Sequence, residues 1–440
     1  MRVKTELVAG SAIFTITFFF FLTSPVRQIA DSNYSMLVSQ SLLDHGSFTL
    51  DRYVIPGFNS SLPTEPQPNL KPYQLQLKDG HIYYYFPLGS SVLSVPYVAF
   101  MRLLGFSPVD DQAVFNYWGE MSIEISLAAL LMGLLSSVFF YTSRILLPLS
   151  WSVVIAIGGA LGTQVWSTTS RGLWSDTWGI FLLGFVVWML VAQEAGVRPV
   201  RPVLLASLLS WTYFVRPTYG IPVIAMVGYM LISYPSRSVR FLMTGAAWLF
   251  AFILYSRYHF GQSLPDYYQA NRLAFDSFPL AFAGNLISPS RGLLIFVPVI
   301  AFVFYLLVRY KKELTYRRLV VVSMSIIAAH LIVVAGFSPW WGGHCYGPRY
   351  TAGLIPWFVL LGILAVKAAL TAQEKTDSRK LYKRWKIEQV LGGLMLACSM
   401  TINGNGAVNR RTSIWNLRPV NVDERPERVW DWRDPQFLAK

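Results

Sequence analysis

The sequence predicts an all-α, polytopic membrane protein of about eleven transmembrane helices, and three observations carry that prediction. Of its 440 residues 54% are hydrophobic, 15% aromatic and only 14% charged, whereas a soluble domain carries about 25% charged residues. Stretches of roughly 20 apolar residues, the length a helix needs to cross the hydrocarbon core, recur along the chain. Lysine and arginine gather in alternate turns, because cationic loops resist translocation.

The apolar windows lie at about 7–25, 121–142, 148–166, 176–193, 202–215, 218–234, 241–257, 292–309, 319–336, 351–369 and 388–402. The first, LVAGSAIFTITFFFFLTSP, is too long for a signal-peptide core and has no small-x-small site before Pro25 and Arg27, so it reads as an uncleaved span. With the N-terminus cytoplasmic, the inner turns hold Arg2 and Lys4, Arg144, Arg198 and Arg201, and Arg237 and Arg240. Two denser turns follow, one with Arg309, Lys311, Lys312, Arg317 and Arg318, the other with Lys375, Arg379, Lys380, Lys383, Arg384 and Lys386. An odd span count then places the C-terminal tail extracytoplasmic. The short window 202–215 runs into Arg216 and Pro217, as a tilted or broken helix would.

The stretch LGSSVLSVPYVAFMRLLG at 88–105 is apolar but short, interrupted by Pro96 and closed by Arg102. A full span here would invert the charge bias of everything downstream, so a re-entrant or interfacial helix is expected. The plan is therefore one transmembrane domain, 1–402, with a long first outer loop of about 26–120 carrying amphipathic helices, and an extracytoplasmic tail, 403–440. The location that follows is the plasma (inner) membrane. The formal charge of +14 is accounted for by topology and by attraction to anionic lipids, and no soluble basic domain exists to bind nucleic acid. Two cysteines, Cys345 and Cys398, set no disulfide framework.

Every polar cluster with chemical potential falls on the outer side of this plan. In the first outer loop, Asp31 precedes the run SMLVSQSLLDHG, which reads as an amphipathic helix lying on the membrane, with Asp31 as N-cap and Gly46 as C-terminal stop. The other reading of Asp31 is a carboxylate at a cavity mouth that takes a proton from an attacking nucleophile. Tyr83, Tyr84 and Tyr85 form either an interfacial belt or a platform for a sugar ring or isoprenoid chain.

Arg171, Arg216, Arg291 and Arg349 each sit in an outer turn at the end of an apolar window. Any one of them can snorkel to lipid phosphate, but together they suggest an anion site, since a guanidinium matches phosphate bidentately. Asp176 lies in the turn SRGLWSD; His344 and Tyr350 lie in WWGGHCYGPRY, which either anchors the interface or lines substrate. His330 is alone inside a span and reads as a packed residue. Glu120 and Glu124, one helical turn apart at an outer helix end, could face a cavity.

No HExxH, paired CxxC, GxxxxGK[ST], DxD or strand-linked GxGxxG occurs, so neither zinc hydrolysis nor nucleotide-driven pumping has a motif. A divalent metal likewise lacks a motif, and no cofactor is assigned. Proton-coupled transport calls for carboxylates buried mid-span, and nearly all of those here lie in loops or near helix ends.

Asp31 after the first span, SQSLLDHG, YYYFPLG, LWSD, VRPT, SPSRGLLIF, WWGGHCYGPRY and the ending PERVWDWRDPQFL together resemble the GT-C superfamily of integral membrane glycosyltransferases. The likeness is greatest to the bacterial branch similar to protein mannosyltransferases and aminoarabinose transferases. What the resemblance implies is an inverting transferase with a polyprenyl-phosphate-linked sugar donor, its phosphate at the outer surface, and Asp31 activating a lipid, glycan or protein acceptor. Relatives commonly carry a second acidic residue directly after the first, where this chain has Ser32. A non-catalytic binder or transporter of a polyprenyl-linked sugar is the competing expectation.

Overall fold

Each apolar window falls on helix in the computed structural model, which describes residues 2–61, 72–375 and 379–440. Helices α1 (Arg2–Thr23), α2 (Ser35–His45), α3 (Gly89–Leu103), α4 (Tyr117–Leu146), α5 (Leu149–Leu161), α6 (Ser175–Glu194), α7 (Pro202–Val215) and α8 (Gly220–Ser233) make the first half. They are followed by α9 (Pro235–Phe260), α10 (Phe278–Ile287), α11 (Leu293–Phe296), α12 (Val299–Arg309), α13 (Arg317–Ala335), α14 (Ile355–Lys375), α15 (Arg379–Val408) and α16 (Arg411–Ile414). Among the described residues six helices, α1, α4, α6, α9, α13 and the one ending at Lys375, are long and apolar enough to cross a membrane. Helices α5, α7, α8, α10 and α12 are apolar but shorter. The short α10, between α9 and α11, has no counterpart among the windows.

The break between α11 and α12 comes at Pro298, which cannot donate to the preceding turn, and the break between α7 and α8 comes at Arg216 and Pro217. Around α14, buried almost along its whole length, two apolar clusters form the interior of the bundle. Helix α4 packs against α1, α5 and α6, and α15 against α5 and α12.

The long segment between α1 and α4 is not a loose cover. Strands β1 (Leu75–Lys78) and β2 (His81–Tyr84) form an antiparallel hairpin, register Leu75 to Tyr84, and Ile82 and Tyr84 pack with Tyr34, Leu37, Val38 and Leu50 as a small separate core. Helix α2 differs from the expected surface helix: Ser35 through Ser41 are all buried, so it is enclosed instead of floating on a membrane. Its N-cap is Tyr34, in the left-handed region, and the helix starts too late for Asp31 to cap it. The work of a cap is done by Glu120 of α4, whose carboxylate accepts from the backbone N–H groups of Met36 and Leu37, both at 3.2 Å. Gly46 does end the helix, at φ +60°.

The 88–105 stretch is helix α3, packed chiefly on α2. It reaches α7 at Gly89, where a Cβ would meet the backbone of Phe214 at 2.5 Å. The tail after α15 folds back on the loop 338–348, with Trp415, Val422 and Val429 packed around Trp340. Residues 376–378 of the expected basic turn lie outside the described residues.

Candidate functional site: two ion pairs beside an aromatic groove

The turn after α1 is fixed by α4. Glu124, fully buried, accepts from the Ser32 hydroxyl at 2.7 Å and from the Leu173 N–H at 3.1 Å, so one carboxylate holds both the Asp31 turn and the LWSD turn. The contact gives a serine at position 32 a physical reason. A carboxylate at position 32 would be set against Glu124 at a buried site, two like charges in contact.

Asp31 is thereby presented with its side chain about a quarter exposed (27%). One oxygen accepts from the Arg349 guanidinium, the other from the Tyr73 hydroxyl at 3.1 Å, and its backbone carbonyl accepts from the Tyr84 hydroxyl at 2.5 Å. Burial, with Glu124 and Asp31 nearby, pushes the Tyr84 phenol well above its ordinary range, which keeps it a donor. Arg349 lies over the Trp174 ring, 3.6 Å from its centroid, and its Nε is buried with no hydrogen-bond partner.

A second pair stands close by. Arg216, at the end of α7, donates to Asp176 in the first turn of α6, whose other oxygen accepts from the Tyr219 hydroxyl at 2.9 Å. The Arg216 guanidinium is 5.9 Å from the Tyr350 ring centroid, and the charge of Arg349 is near enough to act on it. Four segments far apart in sequence thus bring two arginines and two carboxylates to one place.

One small space adjoins Asp31, and a larger one lies beyond it. The smaller, about 20 Å³, holds roughly one water and is lined by Asp31, Ser35, Ser90, Ser175 and Tyr267 among others; the hydroxyls of Ser35 and Ser90 are buried without a partner. The larger is an apolar groove of about 300 Å³ between the α1–α4 segment and helices α7 and α9, walled by Tyr85, Trp211, Phe214, Trp248, Phe252 and Tyr268. Tyr84, Phe86, Pro87 and Tyr267 line both, so a thin aromatic wall joins groove to carboxylate.

The remaining expected site residues go elsewhere. Tyr83 packs on Phe260 of α9, with its hydroxyl 3.5 Å from His259, and is not among the groove residues, unlike Tyr84 and Tyr85. Arg291 uses all five N–H groups: on the carbonyls of Trp341, Ser290 and Gly343, and on the side chains of Gln436 and Asn416, at 2.6 to 3.2 Å. It has no donor left for a phosphate. Arg171 gives its donors to the carbonyls of Phe21 and Ser24 and to the Ser170 hydroxyl, closing the C-terminal end of α1. Both are fully buried, and the phosphate-binding role expected of them is corrected to one of tying segments together.

His344 also belongs to the tail contact, 2.8 Å from Asn421 and 3.4 Å from Asp423. Tyr350 is at the site, and its carbonyl oxygen lies 2.8 Å from His330, which is buried and so engaged. Glu120 and Glu124 face loop backbone and Ser32, not an open cavity. Trp174, Tyr73 and Tyr267 join the site without a motif to mark them, although Trp174 lies in the LWSD turn, two residues before Asp176. Both cysteines are free, Cys345 buried and Cys398 exposed.

Among the described residues no three His, Cys, Asp or Glu side chains gather as metal ligands, and Asp31 has Ser32 and a guanidinium beside it where a metal would need further carboxylates. Comparison with protein-family models gives no match for this chain, and comparison with curated proteins gives no significant one.

Proposed function

We propose that the chain is a membrane glycosyltransferase of GT-C type, which uses a polyprenyl-phosphate-linked sugar at the extracytoplasmic face of the plasma membrane. The observation that carries this reading is the shared wall. An aromatic groove suited to an isoprenoid chain shares that wall with a small space at a carboxylate held by a guanidinium and the Tyr73 hydroxyl, as a lipid tail, a phosphate and a reacting hydroxyl require. All eleven helical windows cross the bilayer in this reading.

The chain's own residues then divide the labour. The groove holds the lipid. Arg349 and Arg216 receive the phosphate, which requires Arg349 to exchange its Asp31 contact for phosphate oxygen; the unpartnered Nε gives it a donor already in place. Freed from that pair, Asp31 accepts the proton of the acceptor hydroxyl as its oxygen attacks the anomeric carbon and the carbon–oxygen bond to phosphate breaks. The electron pair of that bond leaves on the polyprenyl phosphate, against the two guanidinium groups.

The direct test is mass-spectrometric profiling of lipid-linked and envelope glycans in a strain that lacks the gene, with and without the wild-type chain. Loss of one defined sugar addition, restored by the wild type, is the expected result. A changed distribution of a lipid-linked sugar across the membrane, with every glycan intact, would replace the enzyme by a transporter.

A further inference from the structure

At the end of the bundle away from Asp31, an apolar groove and a polar pocket lie end to end. Glu124 and Arg144 are separated by 20 residues of the single helix α4, about 30 Å along its axis, so the Arg144 end belongs to the opposite membrane face. There a groove of about 280 Å³ opens between α5, α12, α14 and α15, with Gly158, Gly362 and Gly392 in its walls. Next to it, a pocket of about 370 Å³ is lined by Arg144, Lys367, Glu374 and the α4–α5 turn. The two follow one another along α14: Gly362 and Val366 face the groove, Leu370 and Glu374 the pocket, each four residues on.

We propose that this pair of spaces is a phospholipid site, with one acyl chain in the groove and an ethanolamine head group in the pocket. Trp385 and Leu396 of α15 mark its walls about 16 Å apart along the helix, close to half of the roughly 30 Å hydrocarbon core, which is one leaflet. The pocket offers two positive groups and one negative. Lys367 makes no ion pair among the described residues, and Arg144, bonded through its terminal nitrogens to Glu6 and the Leu147 carbonyl, keeps a buried Nε without a partner. Both suit a phosphodiester. Glu374 beside them suits the ammonium of ethanolamine, opposes an uncharged glycerol head on an anionic lipid, and has no N–H to accept from in choline. The site is independent of the Asp31 chemistry.

The test is native mass spectrometry of the full chain in detergent after equilibration with vesicles of dioleoyl phosphatidylethanolamine, phosphatidylglycerol or phosphatidylcholine. One retained ethanolamine lipid, preferred about ten-fold over the other two, is expected. Lys367→Gln should cut retention about ten-fold, and Glu374→Gln should abolish the preference over phosphatidylglycerol. Gly362→Leu provides an independent arm: a Cβ there makes ordinary contacts with Ile155 and Val303 at 3.5 and 3.8 Å, so the added bulk enters the groove and should displace the chain. Equal retention of the three lipids by the wild type, or retention unchanged in both Lys367→Gln and Gly362→Leu, would mean annular lipid only and overturn the proposal.

Discussion

Replacing Asp31 by asparagine separates a chemical role from a structural one, because the two roles predict different magnitudes. Asparagine keeps the shape and one carbonyl acceptor, so a bond from either Arg349 or Tyr73 survives while the charge and the proton acceptor are lost. Exposed ion pairs are worth about 0–1 kcal/mol, and breaking a buried one costs about 3–5 kcal/mol. This pair lies between, with side chains 27% and 11% exposed, so the stability loss should be about 1–3 kcal/mol. That lowers the melting temperature but leaves the chain folded. Turnover should fall by about 100-fold or more, some 2.7 kcal/mol of barrier, with protein level unchanged. Asp31→Asn combined with Arg349→Gln sharpens the result. The double variant has no orphaned buried charge, so it should regain part of the lost stability and none of the lost turnover. The assay is glycan profiling of the complemented deletion strain, beside melting curves of the purified chains. Wild-type product from Asp31→Asn at normal protein level would remove Asp31 from the mechanism, and so would activity returning with stability in the double variant.

The four outer arginines should divide under lysine substitution. Arg216→Lys and Arg349→Lys should raise the apparent KM for a polyprenyl-phosphate donor by about ten-fold or more, since lysine keeps the charge and loses the fork; wild-type kinetics in both would end the anion-site reading. Arg291→Lys should instead loosen the tail, costing about 2–4 kcal/mol in thermal stability and exposing residues 403–440 to protease, with KM unchanged in whatever fraction stays folded. Ser32→Asp should destabilise by about 1–3 kcal/mol by placing a carboxylate against Glu124, and an unchanged melting temperature would show that the two do not meet. In a background lacking Cys345 and Cys398, single cysteines at 60, 275 and 420 should react with an impermeant reagent from outside and one at 313 should not; labelling at 313 would invert the topology.

What could be read from residue order, and what could not, follows from the range of the interactions involved. Apolar windows are local, and each one became helix; so did Gly46 as a stop, because a left-handed C-cap is a property of one residue. Caps supplied across the fold are not local. Glu120 sits about eighty residues from the α2 N–H groups it receives, and nothing in DSNYSM shows that the cap comes from another helix. The arginines show the limit most clearly. All four end apolar windows in outer turns, and their sequence surroundings do not distinguish them. Folding gives Arg216 and Arg349 carboxylates as partners, and gives Arg171 and Arg291 mainly backbone carbonyls and amide or hydroxyl side chains. The distinction matters chemically. A guanidinium that holds an exchangeable carboxylate at a pocket can trade it for phosphate, since both are anions of similar fork geometry. One whose N–H groups terminate helix ends and tail turns would leave several buried carbonyls unsatisfied if it moved, at about 1–3 kcal/mol each. Thus two of the four arginines fall outside the proposed anion site, and the carboxylates Asp31 and Asp176 mark the pair proposed for it.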